Sequence, residues 1–117
     1  MESILKSIKK MLGVPEEYDA FDEQITLHIN SVFAILNQLG VGNGQKFMIT
    51  GSDETWDDYI LQDDDLSIEE VKSYVYLKVK MIFDPPTSGV AAEAFKSQIA
   101  EFEWRLNVET DDWGDNL

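Results

Sequence analysis

The sequence predicts an all-α fold: a small helical bundle of three main helices plus a short N-terminal helix, with a long loop and a flexible acidic C-terminal tail. Three observations carry this reading. Apolar residues recur three and four positions apart through four segments, the spacing of one helix face. Capping or breaking residues stand beside each segment. No segment needs strand pairing, and there is no internal repeat. A chain of 117 residues that is 44% apolar has enough material for one ordinary core, while a second would be marginal. The expected organisation is a helical domain over residues 1–107 and an acidic tail over 108–117.

Ile4, Leu5, Ile8, Met11 and Leu12 form the stripe of the first helix, and Gly13 and Pro15 stop it. Lys9 and Lys10 suit the negative end of its dipole. The second helix is expected from an N-cap at Asp19 to about Leu39, ended by Gly40. Its stripe is Ile25, Ile29, Val32, Leu36 and Leu39. Phe33 and Ile35 widen that face, so this helix is expected to be enclosed on more than one side.

Residues 40–54 hold four glycines and the short run Phe47-Met48-Ile49, which predicts a loop with a brief extended piece. No Gly-Lys-Ser/Thr follows, so it is no phosphate loop. Thr55 is placed to cap a short helix through Trp56, Tyr59, Ile60 and Leu61. The 43–66 region as a whole is expected to stay out of the core, because its acids cannot enter an apolar interior unpaired. Asp63-Asp64-Asp65 lacks the spaced ligands and glycine of an EF-hand.

Ser67 and Glu70 make a capping box for a third main helix. That helix carries Val71, Tyr74, Val75, Val79 and Ile82 and is stopped by Asp84-Pro85-Pro86. The stems of Lys72, Lys78 and Lys80 can lie along apolar surface. Ser88 can cap the last helix, whose Ala91, Phe95, Ile99, Phe102 and Leu106 run almost as a heptad seam. The expected core contains Ile29, Val32, Leu36, Val75, Val79, Phe95, Ile99 and Phe102. Trp104 lies off the seam, and Trp113 stands in the acidic tail. Met48 and Met81 read as ordinary packing.

Charge and composition narrow the function. Nine Lys and Arg stand against 23 Asp and Glu, a formal −14, which argues against generic nucleic-acid binding, since neutralising phosphates needs cations. Residues 51–70 hold nine acids and no base, and residues 107–117 hold four more. Such runs are ordinarily solvated faces. With no cysteine and only His28, thiol chemistry, Cys-based zinc and His-cluster metal sites fall away, and a Ser-His-Asp triad has little support. No carboxylate pair is placed in an apolar cleft, so neither an enzyme nor a cofactor is expected. No apolar run is long enough to span a bilayer, and the N-terminus does not read as a signal peptide. The expectation is a soluble intracellular protein without a membrane partner.

Five strings, in order, carry a resemblance: His28-Ile29-Asn30-Ser31-Val32, Leu36-Asn37-Gln38-Leu39-Gly40-Val41-Gly42, Tyr74-Val75-Tyr76-Leu77-Lys78, Phe83-Asp84-Pro85-Pro86 and Phe102-Glu103-Trp104-Arg105-Leu106-Asn107. Together they resemble the head–tail connector (adaptor, or head-completion) proteins of long-tailed double-stranded DNA phages. The likeness runs from the first helix to Asn107 and is poorest over 43–66 and after Val108. It implies a structural protein of the virion neck, assembled in the host cytoplasm as a homo-oligomeric, commonly dodecameric ring on the portal protein. It also implies a platform for a stopper or tail-completion protein, with DNA passing through the channel without specific binding. No catalytic, cofactor or metal residues come with it. Phe102, Trp104, Arg105 and Trp113 are the candidate portal or subunit contacts, and Asp57, Asp58, Asp63, Asp64 and Asp65 the candidate lumen or loop acids. The competing reading is an acidic DNA mimic that inhibits a DNA-acting protein by filling its basic cleft.

Overall fold

The structure, a computed structural model, describes residues 2–41, 46–60 and 68–110. Helix α1 (Ile4–Leu12) begins where the Ser3 hydroxyl accepts the Lys6 N–H at 3.3 Å. It ends at Gly13, whose φ of 82° places it in the left-handed region that a Cβ disfavours. Ile4, Leu5 and Ile8 are buried.

Helix α2 (Asp22–Gln38) starts two residues later than the Asp19 cap requires. Asp19 instead closes a turn through its main chain, its carbonyl accepting the Asp22 N–H at 3.1 Å. Phe21 is the N-cap and has no side-chain bond to offer. At the other end Gly40 takes a φ of 93°. Ile25, Ile29, Val32, Phe33 and Leu36 are all buried, so α2 is enclosed on more than one side, as its broad apolar face predicts.

The chain returns through Lys46–Thr50, where Phe47 and Ile49 turn inward and Lys46, Met48 and Thr50 outward, the period of an extended strand. It pairs with no strand among the described residues. Asn30 holds it: Nδ2 donates to the Ile49 carbonyl at 2.9 Å, and Oδ1 accepts the Ile49 N–H at 2.8 Å. Replacing Asn30 with Ala leaves both main-chain groups unpaired and is expected to cost about 2–3 kcal/mol, read as a lower urea midpoint at unchanged m-value. An unchanged midpoint would mean that the segment is held otherwise.

Glu54 closes the next turn by accepting the Thr50 N–H and hydroxyl at 3.0 and 2.8 Å. Burial alone would raise its pKa. The bonds from Thr50, with those from the main chain of Glu54 and Gly51, outweigh it and hold the carboxyl below its usual range. The short helix α3 (Trp56–Ile60) follows, and a single antiparallel bridge between Ser3 and Thr55 ties its start to the start of α1.

Here one expectation fails. The described part of the 43–66 region, residues 46–60, does enter the core: Ile49, Trp56 and Tyr59 are buried, and Phe47 packs against them. Phe33 lies 4.7 Å from Tyr59 and 5.2 Å from Phe47 between ring centroids. Acids and core residues share this short stretch because Trp56 and Tyr59, three positions apart, take one face of α3 and leave Asp57 and Asp58 on the other.

Helix α4 (Ile68–Phe83) ends before Asp84-Pro85-Pro86, as expected. Its proposed cap, Ser67, lies outside the described residues. Val71, Tyr74, Val75, Leu77 and Val79 are buried. Phe83 meets Phe21 at 5.2 Å and His28 at 6.5 Å, so α4 runs antiparallel to α2 and His28 is a packing histidine. Helix α5 (Gly89–Thr110) opens with the Ser88 hydroxyl accepting the Ala91 N–H at 3.3 Å. It packs mainly on α4, with Tyr76 against Phe95 at 6.4 Å. Phe95, Ile99 and Phe102 are only half-buried, while Leu106 is fully buried. The seam is right but its burial was overestimated, because α5 is covered on one side only. Met48 is likewise no packing residue, being 65% exposed.

Candidate functional site

The candidate contact residues at the end of α5 separate by helix geometry. Phe102 is half-buried on the α4 side, and the Arg105 guanidinium lies 5.9 Å from its ring centroid while pairing with Glu101 at 3.1 Å. Trp104 stands two residues from both Phe102 and Leu106, so it lies about 160° round the helix from the seam. It is 68% exposed. The structure therefore brings Phe102 and Arg105 together and turns Trp104 away from them. An exposed indole this large is costly to leave in water and is typical of a surface that binds another protein. Trp113 lies outside the described residues.

Glu103, between them, faces inward. The Tyr74 hydroxyl donates to its Oε2 at 2.7 Å, with the Lys78 ammonium 3.9 Å from the same oxygen. Burial, then the hydrogen bond and charge of Glu103, push the Tyr74 phenol far above its ordinary pKa. Tyr74 thus stays a donor, and the pair fixes the rotation of α5 on α4.

Of the candidate acids, Asp57 and Asp58 are exposed in the first turn of α3. Asp58 Oδ2 accepts the Thr55 N–H at 2.8 Å and its own N–H donates to the Thr55 hydroxyl at 3.4 Å, a capping box that gives Asp58 a local task. Asp63, Asp64 and Asp65 lie outside the described residues. Among the described residues, no three His, Cys, Asp or Glu side chains gather to hold a metal ion, and no helix is long and apolar enough to cross a membrane.

Two features were missed by sequence reasoning. Lys9 is 1% exposed. Its ammonium donates to the carbonyls of Glu16 and Tyr18 at 3.0 and 2.8 Å and pairs with Asp22 at 2.7 Å. Its place next to the apolar stripe of α1 was the available signal, read there as a dipole effect. The second is a groove of about 460 Å³ between α2 and the Lys46–Met48 segment. It has no local sequence signature, because it is lined from two separate stretches.

The described residues define a small all-α protein that leaves large apolar side chains exposed on several elements, Leu27 on α2, Ile82 on α4, and Val90 and Trp104 on α5. The family described as phage connector protein matches residues 4–112. The chain belongs to this family of phage head–tail connectors. Membership gives it a structural role in the phage neck, as a virion component at the head–tail junction in contact with other head and tail proteins. No curated protein and no solved structure matches the chain at a significant level.

Proposed function

We propose that the protein is the adaptor of the neck: it assembles as a ring, dodecameric by family likeness, on the portal, extends the DNA channel and presents a platform to the stopper or tail-completion protein. The observation that carries this reading is Trp104, 68% exposed in the last turns of the longest helix. Trp and Arg are the residue types most enriched at interface hot spots. A heterologous ring buries two faces of each subunit and so gives outward apolar residues a partner. The charge supports it too. At a formal −14 per copy, acids turned to the lumen repel the duplex and let it pass without sticking. Asp57 and Asp58, with Asp63, Asp64 and Asp65, are the proposed lumen or loop acids. Phe102, Trp104, Arg105 and Trp113 are the proposed portal or subunit contacts.

Electron microscopy of the purified protein with and without its portal tests this directly. Rings, or an added layer on the portal ring, are expected. A protein that stays monomeric and leaves the portal bare, yet binds a basic DNA-acting protein in a salt-sensitive way, would favour the DNA mimic instead. Trp104→Ala is expected to weaken portal attachment by more than ~1 kcal/mol with the helical circular-dichroism signal intact. Unchanged attachment would remove Trp104 from the interface.

A further inference from the structure

The solvent side of α2 is short of charge. Residues 24–45 hold no Asp, Glu, Lys or Arg, in a chain that is 27% charged. A surface helix ordinarily keeps charges on the side turned from the core. On α2 that side is the stripe Gln24, Leu27, Ser31, Ala34 and Gln38, three and four positions apart and all exposed. It lies opposite the buried Ile25, Ile29, Val32 and Leu36. Helix α5 carries a stripe of the same kind: Val90, Ala94, Ser97, Glu101 and Trp104, all exposed and holding one charge. Each stripe runs about 21 Å along its helix. This is the spacing of two helices packed side by side.

The two stripes also fit in detail. Beside Ala34 and Gln38 opens the groove of about 460 Å³ between α2 and the Lys46–Met48 segment, with Phe33, Phe47 and Met48 in its walls. That is room for an indole, and Trp104 presents one that is 68% exposed. A buried indole needs a partner for its N–H. Asn37 and Gln38 line the groove, and Asn37 Oδ1 has no hydrogen-bond donor among the described residues. Lys46 is the single charged residue lining the groove, and it makes no ion pair among the described residues. The single charge of the α5 stripe is the acid Glu101. It pairs with Arg105 at 3.1 Å in an exposed bridge and can take Lys46 as a second cation.

We propose that copies of this chain associate head to tail, the outer stripe of α5 on one copy lying along the outer stripe of α2 on the next, with Trp104 seated in the groove. This rests on the ring reading above and supplies the ring's contact between subunits. One subunit carries both halves on different helices, so the contact repeats from copy to copy and closes by rotation. The level agrees as well. Helix α5 runs parallel to α2, and Asn107 Nδ2 donates to the Leu39 carbonyl at 3.1 Å, so Trp104, three residues earlier, stands level with Leu36. A rotation about an axis along the helices keeps that level and sets Trp104 between Ala34 and Gln38 of the neighbour.

To test this, Trp104 is replaced in the full chain by photoreactive p-benzoylphenylalanine, also large and aromatic. Isotope-labelled and unlabelled copies are mixed and irradiated with and without the portal, and the cross-linked peptides are read by mass spectrometry. The expected result is attachment between labelled and unlabelled copies, on α2 or the Lys46–Met48 segment. Ala34→Trp fills the groove from an exposed position and is expected to cut this attachment roughly fivefold or more with the helical circular-dichroism signal intact. Attachment elsewhere on the chain, within one copy, to the portal alone or to nothing overturns the proposal, as does a yield indifferent to Ala34→Trp. Electron microscopy of the same samples reads the ring separately. A layer on the portal with attachment elsewhere refutes this contact and leaves the adaptor reading standing. Attachment in the groove without ring or layer keeps the contact and refutes the adaptor.

Discussion

Trp56→Ala is expected to remove about 3–5 kcal/mol of stability, the cost of emptying a large aromatic site in a core. For a domain whose whole stability is of order 5–15 kcal/mol, that is enough to populate the unfolded chain at moderate temperature. The indole is fully buried, lies 6.3 Å from the Phe33 ring between centroids, and has the Lys72 ammonium 5.8 Å from its own. Its Nε1–H donates to the Ser7 hydroxyl at 2.8 Å, and that hydroxyl donates in turn to the Ile4 carbonyl at 3.0 Å. Trp56 therefore ties α3 to α1 across 49 positions of sequence. Trp56→Phe keeps most of the volume but leaves Ser7 short of a donor, so a loss nearer 1–2 kcal/mol is expected. Urea denaturation followed by circular dichroism separates the two. A loss under 1 kcal/mol for Trp56→Ala would mean that the 53–60 stretch contributes no core.

The second large effect belongs to Lys9. Lys9→Ala removes the donor for two carbonyls and the partner of Asp22, and it empties the volume of the buried stem. Breaking a buried pair from one side costs about 3–5 kcal/mol. The Asp22 side chain is 34% exposed and regains water, so the lower end, about 3 kcal/mol, is expected. Lys9→Met retains the stem and is expected to recover roughly half of this loss. Because the ammonium is shielded, added salt should change the wild-type midpoint little through this contact. If Lys9→Ala behaves like a surface substitution, within about 0.5 kcal/mol, the α1–α2 connection is held by its own turns.

The ends of the elements were the most legible part of the fold. Gly13, Gly40, Asp84-Pro85-Pro86 and Ser88 act through their own backbone or through bonds to residues three or four positions away, so each stop or start stands where local chemistry puts it. Asp19 misled because a capping residue type says nothing of which turn precedes the helix; here its main chain was used and its side chain was not. The α4 stripe was legible for a similar reason as far as Val79, since Val71, Tyr74, Val75 and Val79 repeat at helical spacing and all are buried, whereas Ile82, expected with them, is 52% exposed in the last turn.

Along α5 periodicity located the inner seam and set Trp104 opposite it, but the depth of burial depended on how many neighbours cover the helix. Only α4 does so along most of its length, which leaves Phe95, Ile99 and Phe102 half-open.

By itself, then, the sequence determined the all-α class, the number and order of the helices, their stops, the inner faces of α2 and α4 and the acidic character of the surface. All of these rest on contacts within a few residues or on simple composition. The tertiary structure alone decided that Trp56, Tyr59 and Ile49 join the core, that Lys9 is buried, and that α2 and the Lys46–Met48 segment enclose a groove. Each of those arises where segments distant in sequence meet: Asn30 with Ile49, Ser7 with Trp56, Lys9 with the carbonyl of Tyr18. Local spacing carries no information about such meetings, because the free energy that selects them comes from surfaces that exist only once the helices have packed.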